Sequence, residues 1–194
     1  MRKLYIFAGH NIDPRTGLGT GAHANGYDEA KLAIELRDNV VKVIHSKNSS
    51  IPIWTDDNYS STKTNLNKIL PFIKTKDILI EFHWNAFTNS SATGLEAYIP
   101  DNYTKDELYL ASDIISGLSK ITGLSLRGST EGIRGVKRES QSQHPKLQIM
   151  RPNCINILIE MGFITNINDI IAYLTNKDKI IDFLADTLIN AVSK

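Results

Sequence analysis

Residues 155–166, INILIEMGFITN, decide the fold. The first five, from Ile155 to Ile159, make a near-continuous apolar run, the pattern of a strand buried on both faces of a sheet. The run is broken by a carboxylate, Glu160, followed at once by Met161, Gly162 and Phe163. A charge at the end of a buried strand is costly unless a partner or a chemical task holds it there. In open α/β sheets, ligands gather in the crevice beyond the carboxyl ends of the strands. Glu160 is therefore placed to face a site.

Outward from this stretch, the same pattern recurs twice. Residues 3–8 read as a first buried strand that runs into Gly9 and His10, and residues 76–82 (KDILIEF) read as another that runs into His83-Trp84-Asn85-Ala86. Further strands are expected at 51–54, at 94–99 (more alternating, hence nearer an edge) and, as a short piece, at 147–150. Helical periodicity covers 27–45, 60–70, 105–122 and the chain from 177 onward. Segments 11–26 and 125–146 are Gly-rich and polar and read as loops; loops that long inside a compact domain are usually functional. Strands alternating with helices predict a single-domain α/β fold over 1–194, with a mostly parallel central sheet of about six strands and helices on both faces.

The composition narrows the function. The chain has 194 residues, 41% of them apolar, and a formal net charge of +1. That balance carries no nucleic-acid footprint and no polybasic membrane anchor. No stretch is long enough to insert in a membrane. The lone cysteine, Cys154, excludes an internal disulfide and reads as a small core or edge residue. The run after Met1-Arg2-Lys3 is too short for a secretory apolar region, so synthesis in the cytoplasm without a leader is expected.

Three predicted strands thus end in His10, His83 and Glu160. A fourth chemically capable residue, Glu29, lies in the first helical turn, one turn before Ala33 on the apolar stripe of Ala33, Leu36 and Val40. Two imidazoles and a carboxylate suit a catalytic zinc, which keeps a fourth position open for water. A further carboxylate beside the metal takes the proton from that water. His10, Glu29 and His83 fill the first role and Glu160 the second. Exchanging the two glutamates satisfies the ligand count equally well, and position favours the first arrangement: Glu29 is held by a helix turn, whereas Glu160 sits beside Gly162, where a substrate can approach.

The phrases GH at 9–10, HWNAF at 83–87, GLEAYI at 94–99, RGVK at 134–137 and ILIEMGFITN at 157–166, with the inward Glu29, follow one another in a known order. In that order the chain resembles, over essentially its whole length, the zinc-dependent N-acetylmuramoyl-L-alanine amidases of bacterial division enzymes and phage endolysins. The resemblance implies one zinc per chain on His10, Glu29 and His83, with Glu160 as the catalytic residue. It implies peptidoglycan as the partner and hydrolysis of the amide between N-acetylmuramic acid and L-alanine. Asn85 would help to orient substrate or His83, and Lys137, with Arg134 and Arg151, would lie near the mouth and meet stem-peptide carboxylates. Segment 125–146 lacks the apolar periodicity of the inhibitory helix of division enzymes, so an open site in a monomer is expected, without a separate wall-binding domain and acting at the wall after release or delivery. A zinc carboxypeptidase, or a catalytically silent wall-binding module, is the alternative.

Other polar residues have blander readings. His23 is placed in solvent or at a substrate contact, His45 at a helix C-terminus where an imidazole suits the dipole, and His144 in a loop within reach of a stem peptide. Asp56 and Asp57 read as a turn or helix start. Trp54 and Tyr98 read as sheet packing, and Trp84, bulky where the family often has a small residue, as a sugar platform or a core cap.

Overall fold

A computed structural model describes residues 2–144 and 146–193. In chain order the strands are β1 (Leu4–Phe7), β2 (His23–Ala24), β3 (Tyr27–Asp28), β4 (Ile53–Thr55), β5 (Ile78–Asn85), β6 (Glu96–Ile99), β7 (Ser129–Thr130), β8 (Ile133–Arg134), β9 (Val136–Arg138) and β10 (Ile155–Phe163). The helices are α1 (Glu29–Lys47), α2 (Thr62–Ile69), α3 (Lys105–Thr122), α4 (Ile167–Thr175) and α5 (Lys177–Val192). Six strands form the central sheet in the order β4-β1-β5-β10-β6-β9. All neighbours in it pair parallel except β10 and β6. The single-domain α/β sandwich expected from the sequence is what forms.

The two faces of the sheet are covered unequally. Leu4 and Ile6 of β1, Ile78, Ile80 and Phe82 of β5, and Ile157 and Ile159 of β10 point to one face and pack with residues of α1, α3, α4 and α5 into a large core. The alternate residues, Tyr5, Phe7, Leu79, Leu158 and Tyr98, point to the other face. There they meet Leu66 and Ile69 of α2, with Ile149, Met150 and Cys154, in a smaller cluster against which Ile73 and Leu147 also pack. Strand alternation sends each side chain to a fixed face, so whatever follows Leu158 by two residues emerges where this thin cover runs out. That residue is Glu160.

Several local expectations need correction. Residues 147–150 are not a strand: Gln148–Met150 is a 3₁₀ turn. Ile149 and Met150, adjacent in sequence, both enter the smaller core, which the alternation of a strand forbids. Segment 125–146 is not all loop, because it holds the β7–β8 hairpin and β9, which pairs along β6. β6 is therefore one strand in from the edge. α4 was not expected: it is nine residues long, its buried stripe is little more than Ile170 and Tyr173, and Ile167 and Ile171 are exposed. The first helix begins at Glu29 because the Asp28 side chain caps it, accepting from the Lys31 N–H.

One ion pair ties the sheet to the site. Arg37 of α1 is buried and sets its guanidinium 2.6 Å from Asp56. Asp56 in turn accepts the Ala8 N–H at 3.0 Å, fixing the chain at the end of β1, one residue before Gly9-His10. The Thr62 hydroxyl holds the Gly9 carbonyl at 2.6 Å from the opposite side. So Asp56 anchors the end of β1, a larger role than a turn. Breaking a buried pair by removing one partner strands the other charge. Arg37→Met is expected to lower unfolding free energy by about 3–5 kcal/mol in a denaturant titration; the double variant Arg37→Met with Asp56→Asn should recover part of that loss.

Candidate active site

The parallel register aligns the carboxyl ends of β1, β5 and β10 on one edge, and antiparallel β6 begins there. Glu160 lies opposite His83 on β5 and opposite Glu96 on β6. His83, Glu160 and Glu96 therefore form one cross-strand row on the thinly covered face. The row lies in a cleft of about 620 Å³ also lined by His10, Glu29, Asn85, Phe87, Tyr98, Arg127, Lys137 and His144.

His10, Glu29 and His83 converge. One ligand atom from each lies within 4.8 Å of the others. Glu29 Oε1 stands 3.3 Å from His10 Nε2 and 3.1 Å from His83 Nδ1. It also accepts the Trp84 N–H at 3.0 Å, while Oε2 accepts the Ala22 N–H at 2.9 Å. The helix turn, the end of β5 and the Gly-rich loop thus grip one carboxylate. Burial works against its ionisation, but hydrogen bonds and charge from His10 and His83 prevail and hold the Glu29 carboxyl far below the usual range. His83 is the mirror case: burial disfavours its cation, yet Glu29, Glu81 and Glu160 hold its pKa well above that of a free imidazole.

Close packing keeps the rings in place. Gly9 has φ +71°, and a Cβ there would stand 2.2 Å from His83 Nε2. Only glycine permits both that turn and that approach. The two imidazoles meet edge to face with centroids 4.8 Å apart. Two histidines and an anionic carboxylate at this separation are a donor set that suits zinc in type and number.

Glu160 differs from Glu29. Its Oε2 is buried and has no hydrogen-bond partner among the described residues. Burial pushes its pKa up to about 8, His83 opposes the rise, and Glu29, Glu96 and Glu81 add to it. A buried carboxyl with a free oxygen beside the cluster of His10, Glu29 and His83 is a group that can take up and release a proton near neutral pH.

Beside it lies a network missed in the sequence. Glu96 is buried and accepts from Asn85 Nδ2 at 2.8 Å, Tyr98 Oη at 2.9 Å, Lys137 Nζ at 3.2 Å and Arg127 Nε at 3.3 Å. Asn85 is thus tied to Glu96, and Tyr98 serves the cleft as well as the core. Lys137 and His144 line the cleft, as Arg127 does, whereas Arg134 turns to the Leu126 carbonyl and Arg151 pairs with Glu139. His23 bonds the Gly19 carbonyl outside the triad. Trp84 is a core residue, packed edge-on against Tyr173 at 5.1 Å. Trp54 is 41% exposed and leans on Phe72. The clue to Glu96 was in the sequence: alternation from Tyr98 puts it on the same face.

Known proteins point the same way. The amidase-3 family model, N-acetylmuramoyl-L-alanine amidase, matches residues 4–194. No protein with a curated description matches the chain closely enough to count as a relative. Among solved structures, a Neisseria meningitidis protein provisionally assigned as an N-acetylmuramoyl-L-alanine amidase superposes with a TM-score of 0.74 at 26% identity, covering 98% of this chain and 96% of that one. An N-acetylmuramoyl-L-alanine amidase from Clostridium difficile 630 gives 0.70 at 23% identity, covering 98% and 94%. The CwlD amidase of Clostridioides difficile, solved with the GerS lipoprotein, gives 0.70 at 20% identity, covering 100% and 99%. With the family model spanning nearly every residue, this chain belongs to the N-acetylmuramoyl-L-alanine amidase family of peptidoglycan hydrolases.

Proposed function

We propose that this peptidoglycan amidase is zinc-dependent and acts as a wall-lytic enzyme of the endolysin type. The observation that carries the metal reading is the convergence of His10, Glu29 and His83 ligand atoms within 4.8 Å, beside a buried carboxyl with a free oxygen. His10 Nε2, His83 Nδ1 and Glu29 would hold the ion. When bound, the cation supplies Lewis acidity, polarising a carbonyl oxygen and making water a competent nucleophile near neutral pH.

The rest of the chemistry belongs to the chain. Glu160 takes a proton from the attacking water as the C–O bond forms. It then delivers that proton to the alanine nitrogen as the C–N bond breaks, which leaves an amine on the peptide and a carboxylic acid on the lactyl group, whose own proton passes to the amine or to water. Lys137 and Arg127, held by Glu96, present cations to the peptide side of the cleft, and Asn85 keeps Glu96 oriented between them. The lytic reading is supported by access: among the described residues, only Glu29 of α1 and Gln141 of a 3₁₀ turn line the cleft from helical segments.

Metal analysis joined to mass spectrometry of digested peptidoglycan tests the whole reading. Wild type and Glu160→Ala should each carry one zinc, and only the wild type should release free stem peptides at full rate, the variant being slower by about 10²–10⁴-fold. Products with the muramoyl–alanine bond intact would make the chain a peptidase instead, and zinc lost with activity in Glu160→Ala would turn Glu160 into a ligand. Lys137→Met should raise KM for peptidoglycan fragments and leave kcat nearly unchanged, as loss of uniform binding does.

The raised pKa of Glu160 also has a sign in stability. In the metal-free protein the folded chain keeps this proton up to about pH 8, against 4.5 for an ordinary glutamate carboxyl. The unfolded chain releases it earlier, so stability falls as pH rises through that window. The metal-free Glu160→Gln variant should therefore gain melting temperature over wild type progressively between those two pH values and level off above them.

A further inference from the structure

Glu81 is a buried carboxylate that the hydrolytic chemistry does not use. It sits on the thinly covered face of β5, opposite Phe7 on β1 and opposite Leu158 on β10. Both neighbours are apolar and buried. A leucine or phenylalanine would complete that row, whereas a carboxylate there loses hydration. Its Oε1 has no hydrogen-bond partner among the described residues. Its Oε2 lies 3.3 Å from His83 Nε2. The contact follows from alternation, because residues two apart on a strand share a face.

His83 therefore stands between two carboxylates. Glu29 faces Nδ1 at 3.1 Å and Glu81 faces Nε2 at 3.3 Å. A neutral imidazole carries one N–H, and the nitrogen that keeps it cannot bind a metal. We infer that Glu81 is a positioning residue that accepts the His83 Nε2–H, holds the ring against Gly9, and so reserves the Nδ1 lone pair for a divalent cation shared with His10 and Glu29. Carboxylates that orient ligand imidazoles in this way strengthen metal binding by 10- to 100-fold. The inference rests on the proposed metal role of His83.

Chelator-competition titrations of zinc test it, run on the full chain as wild type, Glu81→Leu, Glu81→Gln and His83→Ala, each with the melting temperature of its metal-free form. Glu81→Leu should keep or raise the metal-free melting temperature and weaken zinc binding by about 10–100-fold. Glu81→Gln retains an acceptor oxygen and should recover most of that affinity. Nitrogen-15 histidine spectra of the zinc-loaded wild type should show the His83 proton on Nε2, and in Glu81→Leu that proton should exchange with water faster. Unchanged zinc affinity in both Glu81 variants would overturn the inference, as would losses of affinity that only track losses of melting temperature. If His83→Ala binds zinc like wild type, the metal reading itself fails, a result separable from either of these.

Discussion

Everything at the active site depends on the registration of β10 between β5 and β6. Glu160 pairs with His83 on one side and Glu96 on the other, and a shift of one residue would turn every side chain of β10 to the opposite face. Register is held by what lies before and after the row. Ile155 to Ile159 bury both faces of the strand. Beyond Glu160, Gly162 adopts φ +127° where the pairing with β5 shifts, and the buried Asp169 collects the Phe163 N–H, the Gly94 N–H and the Thr93 hydroxyl. Asp169 thereby joins the end of β10, the start of α4 and the approach to β6, and the catalytic row is clamped at its open end.

The site concentrates negative charge. Glu29, Glu81, Glu96 and Glu160 lie within a few residues of the same sheet edge, and their environments separate their roles. Glu29 is saturated by two backbone donors and two imidazoles. Glu96 is saturated by four side-chain donors. Glu81 has one imidazole, and Glu160 keeps an oxygen without a partner. A carboxylate with many donors is fixed as an anion, and one with few is free to change protonation. The same residue type thus stands in four different environments, which match the proposed roles of ligand, scaffold, orienting group and proton carrier.

The strand ends and the residues that converge at the cleft are legible in the sequence because burial writes itself as apolar runs, and a polar residue that breaks such a run demands a reason. His10, His83 and Glu160 stand out for that cause, and Glu29 for lying on an apolar stripe. Glu81 was less visible, although it sits two residues before His83 in KDILIEF, since a single carboxylate inside a strand also reads as an edge feature. The pairings of Arg37 with Asp56 and of Glu96 with Lys137 were illegible, because each joins segments distant in sequence, although alternation already put Glu96 on the face of Tyr98. The 3₁₀ turn at Gln148–Met150 and the short α4 escaped because three residues, or a two-residue stripe, give periodicity too little length to declare itself.

The order of strands in the sheet differs from their order along the chain. Among the described residues β10 is the last strand in chain order, yet it occupies the interior, between β5 and β6. Until it is made, β4, β1 and β5 have no bridge to β6 and β9, and His83 has no carboxylate from β10 opposite it. The segment before residue 160 holds His10, Glu29 and His83, and Glu160 joins them only through β10. Topologies dominated by contacts over such long sequence separations fold slowly. The residue proposed to carry the proton and the three proposed to hold the cation are thus brought together by the one strand that joins the two parts of the sheet.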